Sequence, residues 1–323
     1  MTVIAGVDEA GLGPVLGPLV VSATAFDVPD RSADVSMWQL LAGAVCRQAA
    51  KRGSPVRIAD SKKLYSGLRG PGGLSQLERG VLSMLAAGGQ RPDSLRALLR
   101  SVAPAAPAQL GDYPWYAGCD LALPHSVGAT SISLSANALA ARMAKAGITL
   151  VAARSEPVFA GEFNRMVRAT DNKAVTLFDV TCRLLMHIWR TFPGGPIMVH
   201  VDRQGGRARY LAPLQRVFQG CAFKVLAENE TDSAYRLTGR GRAMDVRFTV
   251  DCEDRHLPVA LASMLSKYVR ELFMVLFNRF WASHVSGLAP TAGYYSDGRR
   301  FYAEIGPVIR RLGVDGSMVY RSR

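Results

Sequence analysis

The chain has 323 residues, 49% hydrophobic and 20% charged, with 39 Lys and Arg against 26 Asp and Glu for a net charge of +13. This composition excludes a disordered chain, and the length allows one large domain or two. The positive balance favours a polyanionic partner, nucleic acid or an acidic membrane surface.

In chain order, residues 2–10 and 17–28 read as strands, rich in β-branched residues and separated by a Gly/Pro turn. Residues 36–52 read as a helix ending at Arg52–Gly53, followed by IADSKKL (58–64) and the glycine-rich GLRGPGGL (67–74). From 75 to 145 the chain is rich in Ala, Ser and Leu and reads as helical, broken by APAAPA at 103–108; an insertion is expected there. ITLVAARSEPVF (148–159) reads as a strand and roughly 161–192 as one long amphipathic helix. PIMVHVD (196–202), CAFKVLAE (221–228) and MDVRFTVDCED (244–254) read as further strands. PVALASMLSKYVRELFMVLFNRFW (258–281) has Pro258 at its first helical position and apolar residues at helical spacing. Strands alternating with helices predict an α/β fold with a mostly parallel, helix-covered sheet.

No run approaches the roughly 18 apolar residues of a membrane span. The opening MTVIAGVDEAG lacks the basic segment of a signal peptide, so no membrane partner and a cytoplasmic location are expected. Cys46, Cys119, Cys182, Cys221 and Cys252 contain no CxxC, which argues for reduced thiols rather than disulfides or zinc. His187 and His200 lie in apolar runs, where packed histidines are the expectation.

The acids recur in one pattern. Asp8–Glu9 closes the first strand, Asp202 closes the HVD strand, and Glu253, flanked by Asp251 and Asp254, stands before the long helix. Alone, each reads as a solvated strand end or a helix cap. Together, strand ends of an open α/β sheet gather at one crevice, and acids converging there would repel one another without a cation. Oxygen-only ligation suits Mg²⁺ or Mn²⁺, and two such ions clamp an in-line phosphoryl displacement. Asp8 and Glu9 are consecutive, so both reach one site only if the strand ends or bends, which Gly11, Gly13 and Gly17 permit. GLGPVLG also passes for a loose dinucleotide loop of an oxidoreductase. That loop has to open a helix, whereas Pro14, Pro18 and the strand-like VVSATAF oppose one here.

GVDEAGLGPVLGP at 6–18 is similar to the opening motif of the type 2 ribonuclease H family, ribonucleases HII and HIII. DSKKL (60–64), Asp202 after its apolar strand, EDRHLPVALASMLSK (253–267) and AGYYSDGRR (292–300) resemble further family motifs in the family's order. The resemblance implies one catalytic domain over 1–323, with 75–145 inserted in it and 285–323 as a substrate-contacting extension. It implies a mixed five-stranded sheet with helices on both faces, and a monomer. The implied activity is endonucleolytic cleavage of the RNA strand of RNA–DNA hybrids, or at ribonucleotides embedded in DNA, leaving 5′-phosphate and 3′-hydroxyl ends. Asp8, Glu9, Asp202 and Glu253 would be the catalytic and metal-binding carboxylates, with two Mg²⁺ or Mn²⁺ ions. Gly11, Leu12, Gly13, Ser61, Lys62, Lys63, Asn164 and Tyr294 would bind substrate, the lysines at phosphates and Tyr294 at the sugar of the ribonucleotide. Two departures stand out: Leu12 replaces the family's arginine, and Glu253 replaces the Asp usual in ribonuclease HII. A non-catalytic hybrid-binding module that kept the fold and the charge is the competing reading.

Overall fold

The computed structural model describes residues 1–48, 55–65 and 73–322. The chain runs β1 (Thr2–Ala10), β2 (Leu19–Val28), α1 (Met37–Leu40), β3 (Val45–Cys46), β4 (Val56–Arg57), α2 (Ser61–Leu64), α3 (Ser75–Ala87), α4 (Leu95–Val102) and α5 (Ala129–Ala146). It continues with β5 (Thr149–Val158), α6 (Ala160–Thr170), α7 (Lys173–Thr191), β6 (Ile197–Asp202), α8 (Leu211–Val217), β7 (Ala222–Glu228), β8 (Asp232–Gly239) and β9 (Arg242–Thr249). The last helices are α9 (Leu257–His284), α10 (Tyr295–Arg311) and α11 (Gly316–Val319).

Seven strands form one sheet in the order β5-β2-β1-β6-β9-β8-β7. Only the β1–β6 and β6–β9 pairs are parallel; β2, β5, β8 and β7 join antiparallel. The sheet is therefore mixed, as the resemblance implied, and the mostly parallel sheet read from strand–helix alternation is corrected. It is also two strands wider than five. Beyond β9, β8 and β7 extend that edge, and in the β8–β9 hairpin Arg240 and Gly241 both take positive φ (52° and 75°), the turn geometry that matches strand twist.

Alternation along β1 shows why helices cover both faces. Val3, Ala5 and Val7 enter a core with Phe178, Leu184 and Leu185 of α7, while Ile4 enters the other core with α3, α4, α9 and α10. Gly6 faces α9, where a Cβ would lie 2.1 Å from the backbone nitrogen of Val259. Only glycine lets the helix start sit this close to the strand. Residues of the 75–145 region share the α9 core: Leu77, Val81, Leu98, Trp115 and Leu139 are all buried there.

Three predicted elements differ. The helix read over 36–52 is only α1, because Gly43 (φ 88°) turns the chain into the short β3 strand; Arg52–Gly53 lies outside the described residues, as does 67–72 of the glycine-rich stretch. The long helix over 161–192 is two helices, broken where Asp171 takes φ 50° and the Asn172 side chain caps α7 by accepting from the amides of Ala174 and Val175. The strand read over 244–254 ends at Thr249, and Cys252–Asp254 forms a 3₁₀ turn after Asp251 at φ 52°.

Glu78 on α3 is fully buried. Its carboxylate accepts from the backbone amides of His125 (2.6 Å), Ser126 (2.5 Å) and Val127 (2.9 Å) and from the Tyr268 hydroxyl of α9 (2.7 Å). It ties the 125–127 loop to the long helix. Glu78→Gln turns an acceptor into a donor against those amides and is expected to cost about 2 kcal/mol in denaturant unfolding. A change within experimental error would show that the loop is held by other contacts.

Candidate active site

Val7 pairs with Val201, so Asp8, two residues before the end of β1, and Asp202, at the end of β6, follow side by side on neighbouring parallel strands. Asp8 is pinned from α9: the Ser266 hydroxyl donates to its backbone oxygen (3.0 Å), and Ser263 stands beside its carboxylate. Ser263 also donates to the Ser61 hydroxyl (3.0 Å), which joins the DSKKL segment to α9. The serines of the ALASMLSK stretch thus act as a bracket between the first acid and the lysine-bearing turn. Asp202 accepts from the Cys252 amide (3.0 Å), which draws the turn before α9 onto the strand end.

The four carboxylates lie within electrostatic reach of one another. Asp8 and Glu253 are buried, and Glu9 and Asp202 are half-buried. Burial first, and then the Glu9 charge, push Asp8 well above the carboxylate range. Burial and the Asp202 charge raise Glu9 to about 7. Burial and the Asp8 charge raise Asp202. Burial and Asp202 likewise raise Glu253 to about 7. Glu253 Oε2 is buried with no hydrogen-bond partner among the described residues. Mutual repulsion, an orphaned carboxylate oxygen and an all-oxygen donor set fit a hard divalent cation.

The two acids beside Glu253 point elsewhere. Asp254 pairs with Lys63 at 2.6 Å on the surface, and Asp251 is exposed at the left-handed turn residue. The structure therefore places Glu253, not its neighbours, among the acids. Lys62 faces the cluster: although burial opposes its charge, Asp60, Asp8, Glu253 and Asp202 together raise its pKa. Ser61 is buried against Ser263, and Tyr294 is 54% exposed at the start of α10.

Asn164 departs from its expected place in a substrate groove. Its amide donates to the carbonyls of Ser317 and Tyr320 (2.8 Å each) and accepts from the amide (2.7 Å) and hydroxyl (3.0 Å) of Ser322. Those bonds occupy it in clamping the C-terminal segment. The same segment supplies a residue that sequence reading missed. Arg321, 1% exposed, donates through Nη1 to the Gly11 carbonyl (2.5 Å) and through Nη2 to the Leu12 carbonyl (3.1 Å). Arg270 of α9 donates to the carbonyls of Leu16 (3.3 Å) and Ala292 (2.9 Å) and pairs with buried Glu271 at 2.6 Å. Gly11, at φ 91°, passes so close that a Cβ would lie 2.6 Å from Arg270 Nε. Two buried guanidiniums thus hold the turn that follows Asp8 and Glu9. The sequence signal for Arg270 was the charges Lys267, Arg270, Glu271 and Arg279 inside a largely apolar helix; Arg321 left none.

These shifts have a sign. Each raised acid binds its proton more tightly in the folded chain than in the unfolded one. From the ordinary glutamate value of 4.5 to about 7, stability therefore falls as pH rises. The cation-free protein is expected to melt lower at about pH 8 than at about pH 5, with Mg²⁺ or Mn²⁺ restoring most at the higher pH. A cation increment independent of pH would place the ion away from these acids.

Among the described residues no helix is long and apolar enough to cross a membrane. No family profile and no curated protein matches the chain. Solved structures do. The chain is similar to the ribonuclease H2 from Pyrococcus horikoshii OT3, at 14% identity over 98% of this chain and 92% of that one, with a TM-score of 0.47. It is also similar to a mutant of Bst-RNase HIII, at 15% identity and a TM-score of 0.44, covering 98% of this chain and 65% of that one. For Bst-RNase HIII in complex with Mn²⁺ the identity is 15% and the TM-score 0.43, over 99% of this chain and 66% of that one. The chain spans about two thirds of the length of the Bst-RNase HIII structures to which it is similar.

Proposed function

We propose that the protein is a metal-dependent endonuclease of the type 2 ribonuclease H kind, cutting the RNA strand of RNA–DNA hybrids or at ribonucleotides within duplex DNA. The observation that carries this reading is the convergence of Asp8, Glu9, Asp202 and Glu253, each raised in pKa by burial and by the charge of another, with Lys62 facing them. The motifs quoted above and the net charge of +13 support it.

Asp8, Glu9, Asp202 and Glu253 would hold the divalent ions, which when bound supply Lewis-acid polarisation of the scissile phosphate and of water. The chain's own residues do the rest. Ser263 and Ser266 fix the first acid, and the Cys252 amide fixes Asp202. Lys62, raised in pKa, keeps its charge and is available to a backbone phosphate, the contact that dominates nucleic-acid affinity. Lys63 reaches a phosphate only by leaving Asp254. The turn at Gly11, Leu12 and Gly13, with its first two carbonyls held by Arg321, would offer its remaining backbone atoms to a minor groove, and exposed Tyr294 would offer a ring to a sugar.

The test is cleavage of two labelled duplexes with Mg²⁺ or Mn²⁺: a continuous RNA–DNA hybrid, and a DNA duplex carrying one ribonucleotide. Cutting the hybrid alone would assign a ribonuclease HIII-like preference to Leu12 and Glu253. Cutting at the lone ribonucleotide would show that the junction is read without an arginine at position 12. If neither is cut while both are bound, the protein is a binding module and the nuclease reading fails.

A further inference from the structure

One row behind the acids, the same face of the sheet carries a second polar site. Gly6 pairs with His200 and His200 with Arg247, so their side-chain positions run across β1, β6 and β9. His200 stands two residues before Asp202, about 6.6 Å along the strand. Here a cavity of about 410 Å³ opens between this row, the 33–37 segment and the start of α9. Its polar lining is Arg247, Arg255, His200, His256, Ser36 and Asp34.

Three observations mark it as built to receive something. His200 is 8% exposed and its Nδ1 has no hydrogen-bond partner among the described residues; Ser36 Oγ is buried and equally unpartnered. Arg247 and Arg255 are exposed and make no side-chain hydrogen bond or ion pair among the described residues. Two guanidiniums thus face one carboxylate, Asp34, which leaves the cavity net positive. The opposite wall is apolar: Ile4, Met37, Met198, Leu257 and Pro258.

A metal is the rival occupant, because ligand atoms of His200, Cys252 and His256 lie within 4.8 Å of one another. The imidazoles, however, are stacked, with centroids 3.5 Å apart and planes 13° apart. In-plane lone pairs of parallel rings run side by side and do not converge on one ion. Parallel rings instead present N–H edges together, and two arginine forks beside them suit phosphate oxygens.

We propose that this cavity binds the phosphate of a nucleotide-sized ligand, with the two arginines on the phosphate, Ser36 and His200 completing its hydrogen bonds, and the apolar wall against the sugar or base. The volume is that of a small-molecule site. The phosphate comes either from a free nucleotide or from a nucleic-acid strand running past the acids. The inference stands on this cavity alone and does not require the nuclease reading.

Calorimetric titration of the full chain with AMP and with inorganic phosphate, in EDTA so that no phosphate is held at the carboxylates, tests it. The wild-type protein is expected to bind AMP, and Arg247→Ala with Arg255→Ala to weaken it about tenfold to a hundredfold. Both arginines are exposed, so an unchanged melting temperature is expected and excludes misfolding. A duplex arm separates the sources: a parallel loss of duplex affinity points to a strand phosphate, and unchanged duplex affinity to a free nucleotide. Absence of AMP and phosphate binding overturns the proposal, as does binding indifferent to both arginines. Zinc binding lost in Cys252→Ser, with no phosphate bound, gives the cavity wall to a metal and overturns it as well.

Discussion

On the nuclease reading, Asp202→Asn is expected to lower cleavage by about a thousandfold or more while duplex binding stays near that of the wild type. The acid lies among three others and its loss removes one charge that would hold the ions; several kcal/mol of transition-state stabilisation is the usual worth of such a contact. Asparagine keeps the size and the ability to accept from the Cys252 amide, so the turn before α9 remains in place. The variant also carries a second signature. Because Asp202 raises the pKa of Glu9 and Glu253, its neutralisation relieves repulsion, and the cation-free variant melts above the wild type at about pH 8. The gain in melting temperature from Mg²⁺ or Mn²⁺ shrinks at the same time. Near-normal cleavage in this variant would sink the metal-site assignment, whereas loss of both cleavage and fold would leave only the duplex assay of the wild type to decide.

Arg321→Met is expected to destabilise the chain by about 3 kcal/mol, because the buried guanidinium that donates to the Gly11 and Leu12 carbonyls is lost. Burial and then the nearby Arg270 push the Arg321 pKa down to about 9, still high enough to keep the guanidinium charged near neutrality. Its face lies 3.9 Å over the Phe163 ring, which offsets part of the desolvation. The turn it holds follows Asp8 and Glu9 directly. Arg321→Met is therefore expected to raise KM for a duplex more than it lowers kcat, and Arg321→Lys to recover part of the stability through one remaining donor. Denaturant unfolding and steady-state cleavage read the two effects separately. A loss below about 0.5 kcal/mol would mean that Arg270 suffices to hold the turn.

Local signals were enough for the strands at both ends of the site. TVIAGVDEA and IMVHVD are apolar, β-branched runs that close on acids, and their strand ends are where the structure has them. The long helix was legible from Pro258 and its apolar spacing, and extends only slightly further at each end. Asp251, Glu253 and Asp254 could not be separated by spacing. What separates them is the left-handed backbone at Asp251 and the surface pair between Asp254 and Lys63, neither of which leaves a mark in composition. The break at Asp171–Asn172 was detectable in principle, since Asn is a strong N-cap, but the apolar periodicity runs through it unbroken.

By itself, then, the sequence determined the strands that carry the first three acids, the long helix, the positions of the acids along the chain and the net positive charge. These depend on neighbours a few residues apart, within reach of periodicity, capping and turn chemistry. Only the tertiary structure decided the direction of the outer strands, the use of Asn164 as a clamp and the place of Arg321 beneath a turn 310 positions away. It also set His200 beside Arg247 on the adjacent strand. The physical reason is that such groups are paired by desolvation, which strands a buried donor or carbonyl unless some partner from any part of the chain reaches it.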